Sequence, residues 1–119
     1  MTASIHEREA FLAAEYALFE DARRSGDRLA AWDHLERAHI VAQPLLGAHL
    51  LSHSYMLRFA IEVRDAREVA GQILRIGLAL IGSLAGRLPV GNTGRSRTSA
   101  FAPMSVTPDL AKFVLRKVR

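Results

Sequence analysis

The fold is decided by residues 26–44, whose sequence is GDRLAAWDHLERAHIVAQP. Gly26 supplies a left-handed residue that ends one helix, and Asp27 is a favourable N-cap for the next. Pro44 closes the stretch, because the residue before a proline avoids helical backbone angles. Between these signals the apolar side chains recur at helical spacing, at Ala31, Leu35, Ala38 and Val41 or Ala42. The stretch therefore predicts a helix over about 28–42, with a turn on either side.

A first helix is predicted before this stretch, from about Ser4 to Arg24. Ser4 and Glu7 have the spacing of a capping box, in which each side chain bonds the backbone amide of the other residue. The apolar stripe expected on this helix consists of Phe11, Ala14, Leu18 and Ala22, widened by Tyr16 and Phe19.

Two more helices are predicted after Pro44, over about 45–64 and 66–84. Arg64-Asp65 lies between them, 38 residues after Gly26-Asp27, and a similar apolar pattern follows each pair. This echo predicts two antiparallel helical hairpins stacked in the manner of tetratricopeptide units. Since two units are fewer than a peptide-binding superhelix needs, we interpret the pattern as an all-α stack of helix pairs.

The chain is expected to form one domain, because 119 residues suffice for a single core. Residues 1–87 form the predicted four-helix core. Residues 88–105 are rich in Pro, Gly, Asn, Thr and Ser, which predicts an irregular loop. Thr107-Pro108-Asp109 has the features of a helix start, so a short C-terminal helix is predicted within residues 106–119.

The composition excludes several classes of protein. The chain has no cysteine, which excludes disulfides, thiolate nucleophiles and cysteine-based zinc sites. Its longest apolar run, Ile76–Ala85, is shorter than the roughly 20 residues of a membrane span. Met1–Glu9 lacks the apolar region of a signal peptide, so a cytoplasmic location is expected.

Basic side chains are concentrated in the second part of the chain, where they include Arg87, Arg95, Arg97, Lys112, Arg116, Lys117 and Arg119. A basic tail can contact nucleic acid. However, no aromatic side chains alternate with these charges, as a platform for stacking bases would require. Nucleic acid binding is therefore not expected.

The predicted fourth helix is rich in small residues, among them Gly71, Gly77, Gly82 and Gly86. Each interior glycine costs about 1 kcal/mol relative to alanine, so close approach of another backbone is the expected compensation. Packing within the chain is the first interpretation. A homodimer, or another protein that docks on this glycine-rich helix, is the alternative.

Four of the five histidines lie within twenty residues, at positions 34, 39, 49 and 53. Glu36 and His39 share a helical face, as do His49 and His53. Residues equidistant from the turn of an antiparallel hairpin lie level with each other. His39 and His49 are each five residues from Pro44, while Glu36 and His53 are eight and nine residues away. We therefore expect these four side chains to converge at two adjacent levels of the hairpin.

Three imidazoles and one carboxylate can bind one divalent transition metal ion, with Zn, Cu, Ni and Fe as candidates. His34 lies about 140° around the helix from His39 and is left out of the set. The alternative without metal is that each group is satisfied separately, for example by a backbone carbonyl or by an ion pair of Glu36 with Arg37 or Arg58. A ferritin-like di-metal site would need further inward carboxylates, for which the candidates are Glu15 and Glu20.

Several motifs carry a family resemblance: residues 34–39 (HLERAH), His49 and His53, residues 67–72, and above all residues 89–94 (PVGNTG) with Phe101, Pro103-Met104 and Pro108. Over roughly residues 10–116 the chain resembles a bacterial family of proteins of unknown function, domain family 3703. The resemblance implies a short helical protein with no assigned activity. Some members occur beside heavy-metal resistance functions, which favours the metal interpretation. Members commonly carry Gly-Asp where this chain has Arg64-Asp65.

The sequence thus favours a metal-binding helical protein, with His39, His49 and His53 as ligands. Glu36 is expected to be a fourth ligand or to orient one of the imidazoles. No separate nucleophile or general acid stands out, so binding, buffering or sensing is expected rather than catalysis. The alternative is a helical-repeat adaptor or a homo-oligomeric structural module without metal.

Overall fold

The computed structural model describes residues 3–85 and 106–114, without the side chains of residues 83–85. The described residues form five helices: α1 (Ile5–Ser25), α2 (Arg28–Ala42), α3 (Leu46–Glu62), α4 (Ala66–Ala85) and α5 (Pro108–Val114). The all-α prediction is confirmed. The predicted loop at 88–105, Gly86 and residues 115–119 lie outside the described residues. Within the described ranges, no helix combines the length and hydrophobicity that crossing a bilayer requires.

The first turn has the structure that its sequence predicts. Gly26 is left-handed, with a φ of 78°, and the Asp27 side chain accepts a hydrogen bond of 3.1 Å from the Ala30 amide. The capping box at the start of α1 is also present: the Ser4 amide donates to the Glu7 carboxylate at 2.7 Å and the Glu7 amide donates to the Ser4 hydroxyl at 3.1 Å. These caps satisfy backbone amides that the helices themselves leave unpaired.

The second turn repeats the first. Arg64 has a φ of 59°, and the Asp65 amide donates to the Ala60 carbonyl at 3.0 Å, as the Asp27 amide does to the Ala22 carbonyl at 2.9 Å. Asp65 then caps α4 by accepting a hydrogen bond of 3.0 Å from the Glu68 amide. Because the turn needs these residues, α3 ends at Glu62, two residues before its predicted end.

The helices stack as two hairpins. Helix α1 packs on α2, α3 packs on α4, and α2 joins the hairpins by packing on α3. Aromatic rings connect α1 to α3: Tyr16 stacks on Tyr55 with centroids 4.0 Å apart, and Phe19 meets Phe59 edge to face at 5.3 Å. The core between the hairpins consists of Phe19, Ala22, Ala31, Trp32, Leu35, Met56, Phe59 and Ala60. The predicted stacking of two hairpins is consistent with these contacts.

The buried face of α1 is rotated from the predicted stripe, which was wrong in two positions. Leu18 is 46% exposed and Ala14 is also exposed, whereas Arg8 and Glu15 are buried. The reason is that both charged side chains have partners inside. The Arg8 guanidinium donates to the Val41 carbonyl and, at 3.0 Å, to the Phe113 carbonyl.

Helix α5 covers the end of the first hairpin. Leu110 and Phe113 pack against Ile40 and Val41 of α2. The Ala3 amide adds a backbone hydrogen bond of 3.1 Å to the Lys112 carbonyl. The C-terminal helix is therefore anchored to the start of α1 and to the last turns of α2.

Helix α4 buries a polar face and exposes an apolar one, which is the opposite of most surface helices. Its buried face carries the polar side chains of Glu68, Gln72 and Arg75, which are 1%, 0% and 8% exposed. Its exposed face carries Ile73, Leu74, Leu80 and Ile81. A Cβ added to Gly77, on the exposed side, would have nothing within 4 Å apart from its chain neighbours and the backbone of its own helix. Close packing within the described residues therefore does not explain Gly77.

Candidate metal centre

The three predicted histidine ligands lie together at the end of the α2–α3 hairpin. His39 comes from the last turn of α2, and His49 and His53 come from the first half of α3. The turn around Pro44 reverses the chain so that His39 and His49 lie level with each other. The i, i+4 spacing then places His53 beside His49.

The Nε2 atoms of the three rings converge on one point. The distance from His39 Nε2 to His49 Nε2 is 3.0 Å, that from His39 to His53 is 3.2 Å, and that from His49 to His53 is 3.1 Å. The three ring planes are steeply inclined to one another, at 50–68°. Each ring thus approaches the common point edge-on through its Nε2 atom, which is the way an imidazole approaches a bound ion.

Burial favours the neutral form of two of these three rings, His49 and His53. The exposed fractions of His39, His49 and His53 are 2%, 3% and 2%. Burial, reinforced by the nearby His53, lowers the pKa of His49 to about 4. Burial also lowers the pKa of His53, although its hydrogen bond with Gln72 opposes the change. The neutral imidazole is the form that binds a metal ion.

Helix α4 places two polar side chains behind the His53 ring, and the sequence analysis did not predict them. His53 Nδ1 lies 2.7 Å from Gln72 Oε1, and Gln72 Nε2 donates to Glu68 Oε2 at 2.8 Å. The charge of Glu68 also acts on buried Arg75. The i, i+4 spacing of Glu68 and Gln72 was a usable signal. This spacing places both residues on one helical face, but it does not show which face of the helix is buried.

Glu36 is not part of the group of metal-ligating atoms that the structure brings together. That group consists of His39, His49 and His53, with ligand atoms within 4.8 Å of one another. Glu36 is half-buried on α2, one turn further from the hairpin bend than His39, or about 4.5 Å along the helix axis. Its role as a fourth ligand stays a prediction.

The carboxylates considered for a second metal ion have other partners. Glu15 is buried and bonded to His34 Nδ1 at 2.6 Å and to Arg37 Nε at 2.8 Å. Glu20 forms an ion pair with Arg23 at 2.9 Å. The geometry therefore does not support a di-metal centre of the ferritin type. His34 belongs to this separate cluster, in agreement with its omission from the predicted ligand set.

One buried ring atom has no hydrogen-bond partner among the described residues. His49 Nδ1 is inaccessible to solvent and makes no hydrogen bond. His53 Nδ1, in contrast, is bonded to Gln72. The surroundings of these two rings therefore differ on the side away from the common point.

The relation of the chain to known proteins agrees with the motifs quoted above. No curated protein and no solved structure matches it. The model of the family described as "Protein of unknown function (DUF3703)" matches residues 6–114, which include α2 to α5 in full and α1 except for its first residue, Ile5. The chain belongs to this family of unknown function.

Proposed function

We propose that this protein binds one divalent transition metal ion through the Nε2 atoms of His39, His49 and His53. The observation that supports this proposal is the convergence of the three Nε2 atoms, which lie 3.0–3.2 Å from one another. Imidazoles that bind a tetrahedral ion at about 2.0–2.1 Å place their nitrogens about 3.3 Å apart. The triangle formed by the three Nε2 atoms therefore needs only a small expansion to accept an ion.

The chemistry of the three rings supports a metal ion over mutual hydrogen bonding. A protonated Nε2 can donate one proton toward the other two nitrogens, but two protonated nitrogens at this distance would oppose each other. Hydrogen bonding within the triangle thus leaves lone pairs poorly satisfied in a buried place, which is costly. One cation satisfies all three lone pairs at once.

The ligand set indicates the class of ion. Three neutral nitrogen ligands suit Zn, Cu, Ni or Fe, and hard cations such as Mg and Ca prefer oxygen. Three protein ligands leave a further position for water or for Glu36, which remains the predicted fourth ligand. The sequence offers no separate nucleophile or general acid that stands out beside these ligands. Binding, buffering or sensing of the ion is therefore proposed rather than catalysis.

Metal content tests the proposal. Chelator-treated protein is reloaded separately with Zn, Cu, Ni or Fe, desalted, and its bound metal is measured by elemental analysis. We expect one ion per chain in the wild type and none in the double variant His49→Ala, His53→Ala. His34→Ala is the matched control, since His34 is bonded to Glu15 away from the triangle. Equal metal content in the wild type and the double variant would overturn the proposal.

We propose as a second candidate that α4 forms a homodimer interface. The supporting observation is its exposed apolar face of Ile73, Leu74, Leu80 and Ile81, which is 45–64% exposed. These side chains are placed symmetrically about Gly77, so a two-fold axis at Gly77 would pair 73–74 of one copy with 80–81 of the other.

Analytical ultracentrifugation measures the oligomeric state of the chain directly. We expect a dimer that Leu74→Glu with Ile81→Glu converts to a monomer. Leu29→Glu is the control, because Leu29 is 85% exposed on α2. A wild-type chain that stays monomeric at high concentration would dismiss the interface, without consequence for the metal site.

A further inference from the structure

A row of buried, hydrogen-bonded side chains, Glu68, Gln72 and His53, runs from α4 to the triangle of imidazoles. We propose that Gln72 and Glu68 are positioning residues that hold His53 in the tautomer whose Nε2 lone pair faces the other two rings. This inference rests on the proposed function in taking His53 Nε2 as a ligand atom. The tautomer itself can be observed without any metal.

The direction of the row follows from its donors and acceptors. Gln72 Nε2 donates to Glu68 Oε2 at 2.8 Å, which places the NH₂ group of Gln72 on the side of Glu68. The Gln72 carbonyl oxygen then faces His53 Nδ1, at 2.7 Å. Since that oxygen can only accept, Nδ1 must carry the ring proton. In a neutral ring this leaves Nε2 unprotonated.

The placement of these groups argues against an incidental contact. Glu68 and Gln72 are 1% and 0% exposed, and burial of polar groups is unfavourable unless each finds its partner. The same helix leaves Ile73 and Leu74 59% and 62% exposed. Rotation of α4 by roughly half a turn would bury the apolar side chains instead, so the observed rotation is the one that places an amide and a carboxylate behind His53.

Such a row has a defined effect on a histidine ligand. A hydrogen bond to the distal ring nitrogen fixes both the tautomer and the ring orientation, and a carboxylate behind it makes the ligating nitrogen a stronger donor. Of the two α3 histidines, only His53 has this support, since His49 Nδ1 has no hydrogen-bond partner among the described residues. Of these two rings, His53 is therefore the one that the fold prepares in advance.

The first experiment determines the tautomer in metal-free protein. Two-bond ¹H–¹⁵N spectra of histidine-labelled, chelator-treated protein distinguish a protonated ring nitrogen from an unprotonated one. We expect His53 to be protonated at Nδ1 in the wild type and to lose this preference in Gln72→Leu. Protonation of wild-type His53 at Nε2 would overturn the inference whether or not the chain binds metal.

The second experiment measures zinc affinity by competition with a chromophoric chelator. We expect Gln72→Leu to weaken binding by about 10-fold to 100-fold, the usual effect of losing a ligand's outer partner. The control is His34→Leu, which removes a polar side chain from the first hairpin, and its affinity is expected to equal that of the wild type.

An exchange of the two side chains provides a rescue. Glu68→Gln combined with Gln72→Glu keeps an oxygen acceptor at His53 and keeps an amide donor behind it. We expect this double variant to restore the Nδ1-protonated tautomer and most of the zinc affinity. Affinity of Gln72→Leu equal to that of the wild type, or an exchange variant as weak as Gln72→Leu, would refute the positioning role. Absence of zinc binding in the wild type would refute the metal site instead.

Discussion

Arg64 adopts the left-handed backbone conformation that Gly26 adopts 38 residues earlier, with φ angles of 59° and 78°. An aspartate follows each residue and caps the next helix in the same way. The two hairpins thus share one turn structure. In the second turn, the left-handed conformation falls on Arg64, whose Cβ disfavours it.

Replacement of Arg64 by glycine is therefore expected to stabilise the protein. The left-handed conformation destabilises the folded state by about 1–2 kcal/mol when the residue is not glycine. Glycine removes this strain, but its greater flexibility in the unfolded chain offsets part of the gain. We expect Arg64→Gly to raise the free energy of unfolding by about 0.5–1 kcal/mol, measured by urea denaturation. Arg64→Ala is the matched control, because it removes the same side chain and retains the strain. A gain as large in Arg64→Ala would assign the effect to the side chain.

A metal ion bound at the proposed site is expected to stabilise the folded chain. Since the triangle of His39, His49 and His53 exists only in the folded state, zinc at 100 times its Kd should add about 2.7 kcal/mol, or about 10 °C in Tm for a chain of this size. Scanning calorimetry with and without zinc measures the change. His49→Ala with His53→Ala should show no zinc-dependent shift, and a shift of equal size in that variant would place the binding elsewhere.

Acid is expected to begin to destabilise the metal-free protein at a pH above the range in which carboxylates protonate. The pKa of His49 falls from 6.5 in the unfolded chain to about 4 in the folded one. The unfolded chain therefore takes up this proton first, and stability is lost as the pH falls from about 6.5 to about 4. We expect a loss on the order of 3 kcal/mol from this residue, measured by urea denaturation of chelator-treated protein. His49→Gln should flatten this part of the pH profile, and an unchanged profile would contradict the assignment.

The buried carboxylate of Glu15 is expected to support the fold without affecting the metal. Glu15→Gln weakens its bonds with His34 and Arg37, and we expect a loss of about 1–3 kcal/mol of stability, since hydrogen bonds to charged groups contribute about that much. Glu20→Gln, at a partly exposed ion pair, should cost less than about 1 kcal/mol. Unfolding curves give both values. Zinc affinity should be the same in both variants, and weaker binding in Glu15→Gln would link the two clusters.

Much of this fold could be predicted from local signals. The caps at Ser4 and Asp27, the glycine turn and Pro44 define the helix ends, because each satisfies or interrupts backbone hydrogen bonds within a few residues. The level placement of His39 and His49 followed from counting outward from Pro44. The predicted stripe was wrong at Ala14 and Leu18 on α1, and the role of Gln72 on α4 was not predicted. In both helices a buried polar residue found its partner on another helix, and sequence periodicity carries no information about such long-range pairs.

The reversed orientation of α4 decides how much of the chain the proposed metal site needs. A peptide that covers α2 and α3 would contain all three imidazoles, yet it would leave His53 Nδ1 open to water and its proton free to exchange between the two ring nitrogens. The site is thus not a portable two-helix motif that could be grafted onto another bundle by its histidines alone. A transplant would have to include α4, turned with its polar side toward the graft.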